Sequence, residues 1–325
     1  MSKNFRELPE DRLASLDKQG KRTYIFPAKV KGQFQTIRKW FHPLLILIYL
    51  VLPWVTINGQ QIVLLNIPDR KFVIFGLTFW AHDAPIMFFV IALSLFGLSL
   101  ITALWGRIWC GWACPQTVFI ESVFRRIEQW IEGNHVQQRK LHEAPMSANK
   151  FIKKSIKWAL FTFISLILTH SFLAYFVGTH NVLEMMQHSP VENLTSFLIV
   201  MFTTALILLD FGWFREQFCI IMCPYGRFQS VLLDENSVNI MYDENRGEPR
   251  KAEGVSKDQQ GDCINCYKCV AVCPTGVDIR RGIQMECIAC TACIDICDEV
   301  MEKINKPKGL IRYASEKSIK GEKSK

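Results

Sequence analysis

Four apolar stretches set the architecture of this chain, because each is long enough to cross a bilayer as a helix. The hydrocarbon core of a bilayer, about 30 Å thick, requires roughly 20 helical residues. The four stretches cover residues 41–57, 85–105, 155–177 and 194–214. A soluble protein could also be 50% apolar, but it would not need its apolar residues in four such blocks. We therefore expect an α-helical membrane protein with four transmembrane helices arranged as two hairpins.

Positive charges flank these stretches unevenly and indicate their orientation. Ten Lys or Arg residues lie in residues 1–40 and eight in residues 106–154, whereas residues 178–193 contain none. By the positive-inside rule, the first two segments and both termini lie in the cytoplasm. These membrane-flanking charges account for the formal net charge of +8, and no motif for reading nucleic acid is visible. Membrane lipid, and not nucleic acid, is therefore the expected surrounding partner.

Two cysteine runs near the C-terminus, CINCYKCVAVCP and CIACTACIDICD, carry the strongest chemical signal. Their spacing is typical of bacterial ferredoxins with two [4Fe-4S] clusters, in which the fourth cysteine of each run binds the other cluster. The rule gives two ligand sets, Cys263, Cys266, Cys269 and Cys297 for one cluster, and Cys287, Cys290, Cys293 and Cys273 for the second. Zinc ribbons use two ligand pairs, and a disulfide framework needs an oxidising compartment, so both alternatives fit poorly. Asp298 follows the second run where the first run has a proline, and we expect this difference to leave ligation intact.

These features divide the chain into five parts. They are a basic cytoplasmic segment (1–40), a four-helix transmembrane domain (41–233), a linker (234–262), a cytoplasmic two-cluster ferredoxin domain of α+β type (263–300) and a polar tail (301–325).

The remaining four cysteines form two copies of a Cys-x-x-x-Cys-Pro unit, in WCGWACP (109–115) and FCIIMCP (218–224). They are Cys110 and Cys114 after the second span, and Cys219 and Cys223 after the fourth. Cysteines four residues apart share one helix face, with Cβ atoms about 5–6 Å apart, so each pair can hold a metal ion. The proline that ends each unit disfavours helical geometry at the preceding cysteine, so we expect a break that leaves the sulfur accessible.

The two units suggest a duplicated hairpin whose pseudo-twofold axis would bring the four thiols together. Soft thiolate ligands of this kind select Cu(I), zinc or iron-sulfur clusters. The alternative is that these cysteines are small buried hydrophobic residues, which is the usual role of a free cysteine. Asp210, at the end of the fourth span, either pairs locally with Arg215 or takes part in proton or metal handling.

Several stretches resemble one known family: PEDRLASLDKQGKRTYIFPAKVKGQF, IPDRKFVIFGLTFWAHD, GRIWCGWACPQTVFIESVFRRIE, MCPYGRFQSVLLDENS and the two ferredoxin runs. Together they are similar to the FixG, RdxA or CcoG family of bacterial cytochrome oxidase accessory proteins. The resemblance implies an inner-membrane protein that reduces Cu(II) to Cu(I) for assembly of a cbb-type cytochrome c oxidase. It also implies that copper binding and reduction fall to the Cys-x-x-x-Cys-Pro cysteines, Cys110, Cys114, Cys219 and Cys223. The family's further span and periplasmic domain are not present in these 325 residues.

The resemblance leads to a hypothesis of an electron relay. A cytoplasmic electron donor would reduce the two clusters, and copper held by the unit thiolates would pass as Cu(I) to a copper chaperone or to oxidase assembly components. No nicotinamide-binding fingerprint is present, so the donor would be a separate molecule. A quinone-linked electron carrier and a non-catalytic assembly scaffold remain alternatives. The sequence leaves the oligomeric state open, with a homodimer as one option.

Overall fold

The computed structural model describes residues 19, 22–57, 59–67, 70–187, 189, 191, 193–251 and 259–321. Its α-helices are α1 (Gln33–Val51), α2 (Ala84–Trp105), α3 (Ile108–Trp112), α4 (Pro115–Phe119), α5 (Arg125–Glu132), α6 (His135–Glu143), α7 (Ala148–Val177), α8 (Thr179–Gln187), α9 (Leu194–Leu208), α10 (Pro224–Leu232), α11 (Glu244–Gly247), α12 (Lys268–Ala271), α13 (Ala292–Lys303) and α14 (Glu316–Ile319). Its strands are β1 (Thr56–Ile57), β2 (Gln60–Gln61), β3 (Val63–Asn66), β4 (Lys71–Ile74), β5 (Leu77–Phe79), β6 (Asn239–Tyr242) and β7 (Ile311–Ala314).

Four helical segments of the described chain are long and apolar enough to cross a membrane, which confirms the predicted number of spans. They cover Gln33–Trp54, Ala84–Trp105, Ala148–Val177 and Leu194–Phe214. The first begins ahead of its apolar window, because its polar first turns continue out of the apolar region to meet the ferredoxin domain. The third also begins early, at a cap where the Ser147 hydroxyl accepts a hydrogen bond from the Lys150 backbone N–H.

The two ends of the helix bundle are covered by different parts of the chain. At one end, backbone N–H groups of Phe34 and Gln35 donate to the Asp295 carboxylate of α13, at 3.2 and 2.7 Å. We call this the ferredoxin end. At the other end, strands β3, β4 and β5 form an antiparallel sheet, and Gln61 donates to the Thr179 hydroxyl at 2.9 Å. The connections between spans therefore alternate between the two ends, as two hairpins require.

Aromatic packing on one side and lipid-facing residues on the other explain how the spans are arranged. Phe119, Phe124 and Phe161 are buried together with Leu168, and Phe124 stacks edge-on against Phe161 at 4.8 Å. In contrast, α2 is apolar all round, and its side chains Leu93 and Phe96 are largely exposed. A long helix with exposed apolar side chains on all sides is expected where lipid surrounds it, which supports the assignment of these helices as membrane spans.

The ferredoxin domain is closed by a strand pair that the sequence did not indicate. Strands β6 and β7 pair antiparallel, with Asn239 opposite Ala314 and Tyr242 opposite Ile311. The first strand lies in the predicted linker and the second in the predicted polar tail. Both pack on the buried face of α13, around Ile240 and Met301. The folded unit therefore uses residues on both sides of the two cysteine runs.

A buried group of charges joins the helices at the ferredoxin end. Arg215 pairs with Glu128, donating to one carboxylate oxygen at 2.9 Å, and Lys157 donates to the same carboxylate at 3.2 Å. Burial opposes ionisation of Glu128, but these two cations more than compensate and lower its pKa. The local pair with Arg215, one of the two alternatives for Asp210, is not formed. The Asp210 carboxylate instead accepts from the Gln116 side chain at 2.9 Å.

Candidate functional site

Cysteines of the first run gather around one small cavity. The cavity is lined by Cys263, Cys266, Cys269 and Cys297. The last of these comes from α13 in the second run, as the crossed spacing rule requires. Cys266 is exposed, so this cavity lies close to the protein surface.

Cysteines of the second run surround a second cavity, deeper in the protein. It is lined by Cys273, Cys287, Cys290 and Cys293, with Cys269 also on its wall. Cys273 is the fourth cysteine of the first run, so each run contributes its fourth cysteine to the cavity of the other run. Both cavities therefore bring together the ligand sets that the sequence assigned to two [4Fe-4S] clusters.

Each run bends around its cavity through two residues with left-handed backbone conformation. The φ angle is 56° at Asn265 and 55° at Tyr267, and 54° and 65° at the equivalent residues Ala289 and Thr291. A non-glycine residue in this conformation costs roughly 1–2 kcal/mol. Because the same costly turns recur in both runs, they indicate loops shaped around an enclosed group.

Burial disfavours the thiolate form of these cysteines in the metal-free protein. Burial raises the pKa of Cys287 to about 11, and that of Cys290 and Cys297 to about 12. Iron binds the thiolate and not the thiol, so the charge of the metal must offset the cost of burying the anion. Four cysteine sulfurs around each cavity are the donor set of a [4Fe-4S] cluster.

The two Cys-x-x-x-Cys-Pro units have the same local geometry. In each, the second cysteine is extended, with ψ of 125° at Cys114 and 112° at Cys223, and a helix begins at the following proline. In each, the backbone N–H of that cysteine donates five residues back, to Trp109 at 2.9 Å and to Phe218 at 2.8 Å. The predicted break at the proline therefore occurs in both units.

A further match precedes each unit. Gly106 and Arg215 both lie four residues before the first cysteine of their unit, and both adopt positive φ angles. Their backbone angles are nearly equal, with φ 56° and ψ −132° at Gly106, and φ 52° and ψ −124° at Arg215. Glycine adopts this conformation without steric cost, whereas arginine does not. Arg215 is held there by its buried pair with Glu128, so the repeat is structural even where the side chains differ.

The units also exchange equivalent hydrogen bonds. Gln116, directly after the proline of the first unit, donates to Asp210 on the span before the second unit. Tyr225, directly after the proline of the second unit, shares a 2.6 Å hydrogen bond with Thr102 on the span before the first. This reciprocal pattern supports the predicted pseudo-twofold duplication of the hairpins.

The duplication gathers the four unit thiols within electrostatic range of one another. Cys219 interacts with Cys110, Cys114 and Cys223, and burial together with these neighbours raises its pKa. Burial likewise raises the pKa of Cys114, and that of Cys110 to about 11. Among the described residues, no three His, Cys, Asp or Glu side chains are close enough to hold a single metal ion. Because burial raises the pKa values of these thiols, metal binding by them requires the release of protons.

Gln229 is a site residue that the sequence did not reveal. It lies on α10 of the second unit, is fully buried, and bonds to the sulfur of Cys110 in the first unit. Its amide nitrogen and oxygen lie 3.4 and 3.5 Å from that sulfur. Only the fold brings these residues together, so neither the unit motif nor its spacing could have identified Gln229.

The first unit is in direct contact with the second cysteine run of the ferredoxin domain. A Cβ atom placed on Gly111 would lie 2.5 Å from the Ala289 carbonyl oxygen and 2.6 Å from that of Ile288. Cys110 and Cys219 also pack against the buried cluster that contains Ile288 and Cys290. The thiols of both units therefore adjoin the second cysteine set.

Arg107 fixes this contact from three residues before Cys110. Its side chain is buried and donates to the carbonyl groups of Met285 and Cys287 in the ferredoxin domain. It also donates to the Gly226 carbonyl of the second unit at 2.7 Å. One side chain thus holds both units and the second cysteine run in register. Its role was not predicted, because its acceptors are backbone carbonyl groups, which every residue has and which no sequence pattern identifies.

Comparison with known proteins agrees with this arrangement. A family described as a 4Fe-4S dicluster domain matches residues 214–316, and a family described as a 4Fe-4S binding domain matches residues 86–134 and 193–234. The second family matches both hairpins, as expected for a duplication. No solved structure matches this chain significantly. The fold and these matches define a membrane-associated iron-sulfur protein of electron transfer.

Three curated proteins are similar over most of the chain. RdxA of Cereibacter sphaeroides is 39% identical over 90% of this chain, and RdxB of the same organism is 38% identical over 94%. Nitrogen fixation protein FixG of Rhizobium meliloti is 37% identical over 91%. The chain belongs to the family of RdxA, RdxB and FixG. It spans 62%, 65% and 58% of the length of these three relatives, respectively.

Proposed function

We propose that this protein reduces Cu(II) to Cu(I) at the four unit cysteines, and that the Cu(I) serves the assembly of a cbb-type cytochrome c oxidase. The observation that carries the proposal is the contact of Gly111 with the backbone at Ile288 and Ala289. This contact brings the soft thiol ligands of the membrane domain against the second ferredoxin run. An electron-transfer domain and a metal-binding group would have to adjoin in this way for one to reduce metal held by the other.

The ferredoxin cysteines are proposed to hold two [4Fe-4S] clusters in the two crossed sets, Cys263, Cys266, Cys269 and Cys297, and Cys273, Cys287, Cys290 and Cys293. Such clusters supply one-electron transfer when bound. The protein around them contributes burial, the left-handed turns at the two runs, and the hydrogen bonds from Arg107 that hold the second run against the membrane domain. We also propose residues 41–233 as the membrane domain and 263–300 as the centre of the ferredoxin domain.

Copper is the proposed substrate of Cys110, Cys114, Cys219 and Cys223. Reduction of one Cu(II) ion consumes one electron, which a soluble reductant at the ferredoxin end would supply. Thiolates favour Cu(I) because soft ligands suit the softer ion. The thiols that bind the metal lose their protons, and the charge of the metal offsets part of the negative charge of the thiolates. A copper chaperone or an oxidase assembly component would then accept the Cu(I).

The ferredoxin end is proposed to face the cytoplasm of a bacterial cell, with the spans in the inner membrane. Support comes from the Lys and Arg residues of the segments 1–40 and 106–154, whose described parts, 22–40 and 106–154, lie at this end. Residues 178–193 contain no Lys or Arg, and α8 of this segment lies at the other end. On this orientation the electron donor and the copper acceptor are both reached from the cytoplasm.

Anaerobic copper loading of the purified protein tests the proposal. The clusters are reduced with dithionite, excess reductant is removed, Cu(II) is added, and Cu(I) is trapped with a colorimetric chelator. The matched variant changes Cys110, Cys114, Cys219 and Cys223 to serine and leaves the ferredoxin cysteines unchanged. We expect copper to be bound and reduced by the native chain alone. Equal cupric reduction by the variant, at equal iron content, would refute the proposal.

A second candidate for the unit cysteines is an iron-sulfur cluster of their own. The observation that favours it is the family description, 4Fe-4S binding, for residues 86–134 and 193–234. Iron and sulfide analysis of the anaerobic protein separates the two candidates. Two clusters give about eight iron atoms per chain and three give about twelve. Loss of about four iron atoms in the four-serine variant would favour the cluster over copper.

A further inference from the structure

A basic cavity of about 480 Å³ lies between the start of α1, helix α5 and the ferredoxin domain. Its wall contains six Lys or Arg residues, Lys29, Lys31, Arg38, Lys39, Arg125 and Arg126, and one carboxylate, that of Glu121. His42, Ser122 and Gln129 add neutral polar groups. An excess of positive charge around one cavity favours an anionic ligand. The four unit cysteines do not line this cavity, so it is separate from the proposed copper site.

Arg38 is the group in this wall that most needs an anion. The residue is only 4% exposed. Its Nη1 atom donates to the Cys290 carbonyl at 3.2 Å and to the Gln35 side chain at 3.3 Å. Its Nε and Nη2 atoms are buried and have no hydrogen-bond partner within the described ranges of the chain. These two atoms form the edge of the guanidinium that binds phosphate or carboxylate in a bidentate manner.

His42 adds a second unpaired donor or acceptor on the same helix face, one turn from Arg38. It is 2% exposed, and its Nδ1 atom bonds to the Ser122 hydroxyl at 2.8 Å. Its Nε2 atom is buried without a partner in the part of the chain that the structure describes. Leaving such buried polar atoms unpaired costs roughly 1–3 kcal/mol each, and more for a charged group. A bound anion would recover that cost.

The position of the cavity indicates the source of the anion. Arg38 and His42 lie in the first three turns of the first span, at the ferredoxin end of the bundle. Trp40 and Trp130 adjoin the lining residues Lys39 and Gln129, and they are 77% and 80% exposed. Tryptophan is enriched at the headgroup level of membranes. The cavity therefore lies at the depth where phosphate groups of lipids are found.

We propose that this cavity binds the phosphate group of an anionic phospholipid, with Arg38 at its base and Lys39 and Arg126 at its rim. Since Arg38 also holds the Cys290 carbonyl, bound lipid would strengthen the attachment of the second ferredoxin run to the first span. The site is independent of whether copper is the substrate of the unit cysteines.

The test uses the full chain with its clusters intact, in a neutral detergent under anaerobic conditions. Binding of short-chain phosphatidylglycerol, phosphatidylcholine and inorganic phosphate is measured by native mass spectrometry and by the shift in unfolding temperature. We expect phosphatidylglycerol to bind and to raise the unfolding temperature, and phosphatidylcholine to do neither. In Arg38→Gln we expect about tenfold weaker binding of phosphatidylglycerol.

Two further variants keep the test decisive. Arg139→Gln makes the same chemical change on α6, outside the cavity, and should bind the lipid as the native chain does. Lys39→Gln with Arg126→Gln changes only exposed rim residues, so it provides a folded variant if Arg38→Gln fails to fold. Equal binding of both lipids, or full binding by the rim variant, would overturn the proposal. Stabilisation by inorganic phosphate that equals that of phosphatidylglycerol would overturn the lipid as its source.

Discussion

The two cysteine sets of the ferredoxin domain share one motif and differ in where they lie. The first set reaches the surface, since Cys266 is exposed. In the second set, Cys273, Cys290 and Cys293 are buried, and Cys290 packs in a cluster with Cys110 and Cys219 of the membrane units. Equivalent sequence positions therefore face solvent in one set and the membrane domain in the other.

The difference lies in the residues that the membrane domain contributes. Gln35 and Arg38 of the first span donate to the Cys290 carbonyl, and Arg107 donates to the Cys287 carbonyl. A polar backbone acceptor buried in this way is stable only when it is paired. We therefore expect the first set to receive electrons from a soluble donor, and the second set to be the one that depends on the membrane domain.

The largest effect on iron content and copper reduction should come from substituting one cysteine ligand, either in the first set or in the second. We expect Cys290→Ser to lose the iron of the second set, to lower the unfolding temperature and to abolish copper reduction. Substitution of a residue that only contacts a metal ligand lowers the affinity for the metal roughly 10–100-fold. We expect loss of a ligand itself to lower that affinity further. We expect Cys266→Ser to lose iron from the first set with a smaller change in unfolding temperature. Iron content, electron paramagnetic resonance and thermal unfolding distinguish the variants, and equal destabilisation by both would contradict the contrast.

A smaller effect on copper reduction should follow when an added side chain separates the first unit from the second ferredoxin run. In Gly111→Ala the new methyl group would meet the Ala289 carbonyl oxygen at 2.5 Å, and backbone cannot move aside cheaply. We expect copper reduction to fall roughly 100-fold, since displacement by about 1 Å can cost that much, while iron content stays unchanged. The matched control is Gly97→Ala, where the added Cβ meets nothing within 4 Å. Unchanged reduction by Gly111→Ala would show that this contact is not the path to copper.

The parts of this molecule that the sequence predicts are those encoded by local spacing. Four apolar windows gave the four spans, because length and hydropathy alone decide whether a helix can cross a bilayer. The cysteine spacing gave two crossed sets, and each set lines its own cavity. The breaks before Pro115 and Pro224 follow from the steric demands of proline on the preceding residue.

The parts that the sequence does not predict depend on residues far apart in the chain. Strands β6 and β7 are four residues each and too short to stand out, and their pairing spans the whole ferredoxin domain. Gln229 meets Cys110 only through the exchange between units. Of the two alternatives for Asp210, the pair with Arg215 is not formed, because Glu128 on α5 reaches the buried arginine. In these cases, contacts between distant segments determine the strand pairing and the side-chain partners, which local sequence does not specify.

The pH dependence of copper binding should show whether the unit thiols are the ligands. Burial raises the pKa of Cys110 to about 11, so its thiol is protonated at neutral pH in the metal-free protein. Copper binding must displace that proton, and the affinity should therefore increase as pH rises from 6 to 8. The expected slope is about tenfold in the dissociation constant per pH unit for each proton released. Titrations in a chelator-buffered copper series measure it, and a flat profile would mean that the thiols are not the ligands.

The smallest effect should come from the hydrogen bond that joins the two units. In Gln229→Leu the sulfur of Cys110 loses both contacts with the amide, and the Tyr225 hydroxyl loses its bond to the same amide but keeps its bond to Thr102. We expect copper affinity to change by about 3- to 10-fold, the range of one net hydrogen bond, with iron content unchanged. The control is Gln217→Leu, since the Gln217 amide nitrogen is buried without a partner among the described residues. Removing that amide should leave copper affinity unaltered. If both leucine variants alter copper affinity equally, Gln229 acts through packing and not through its bond to Cys110.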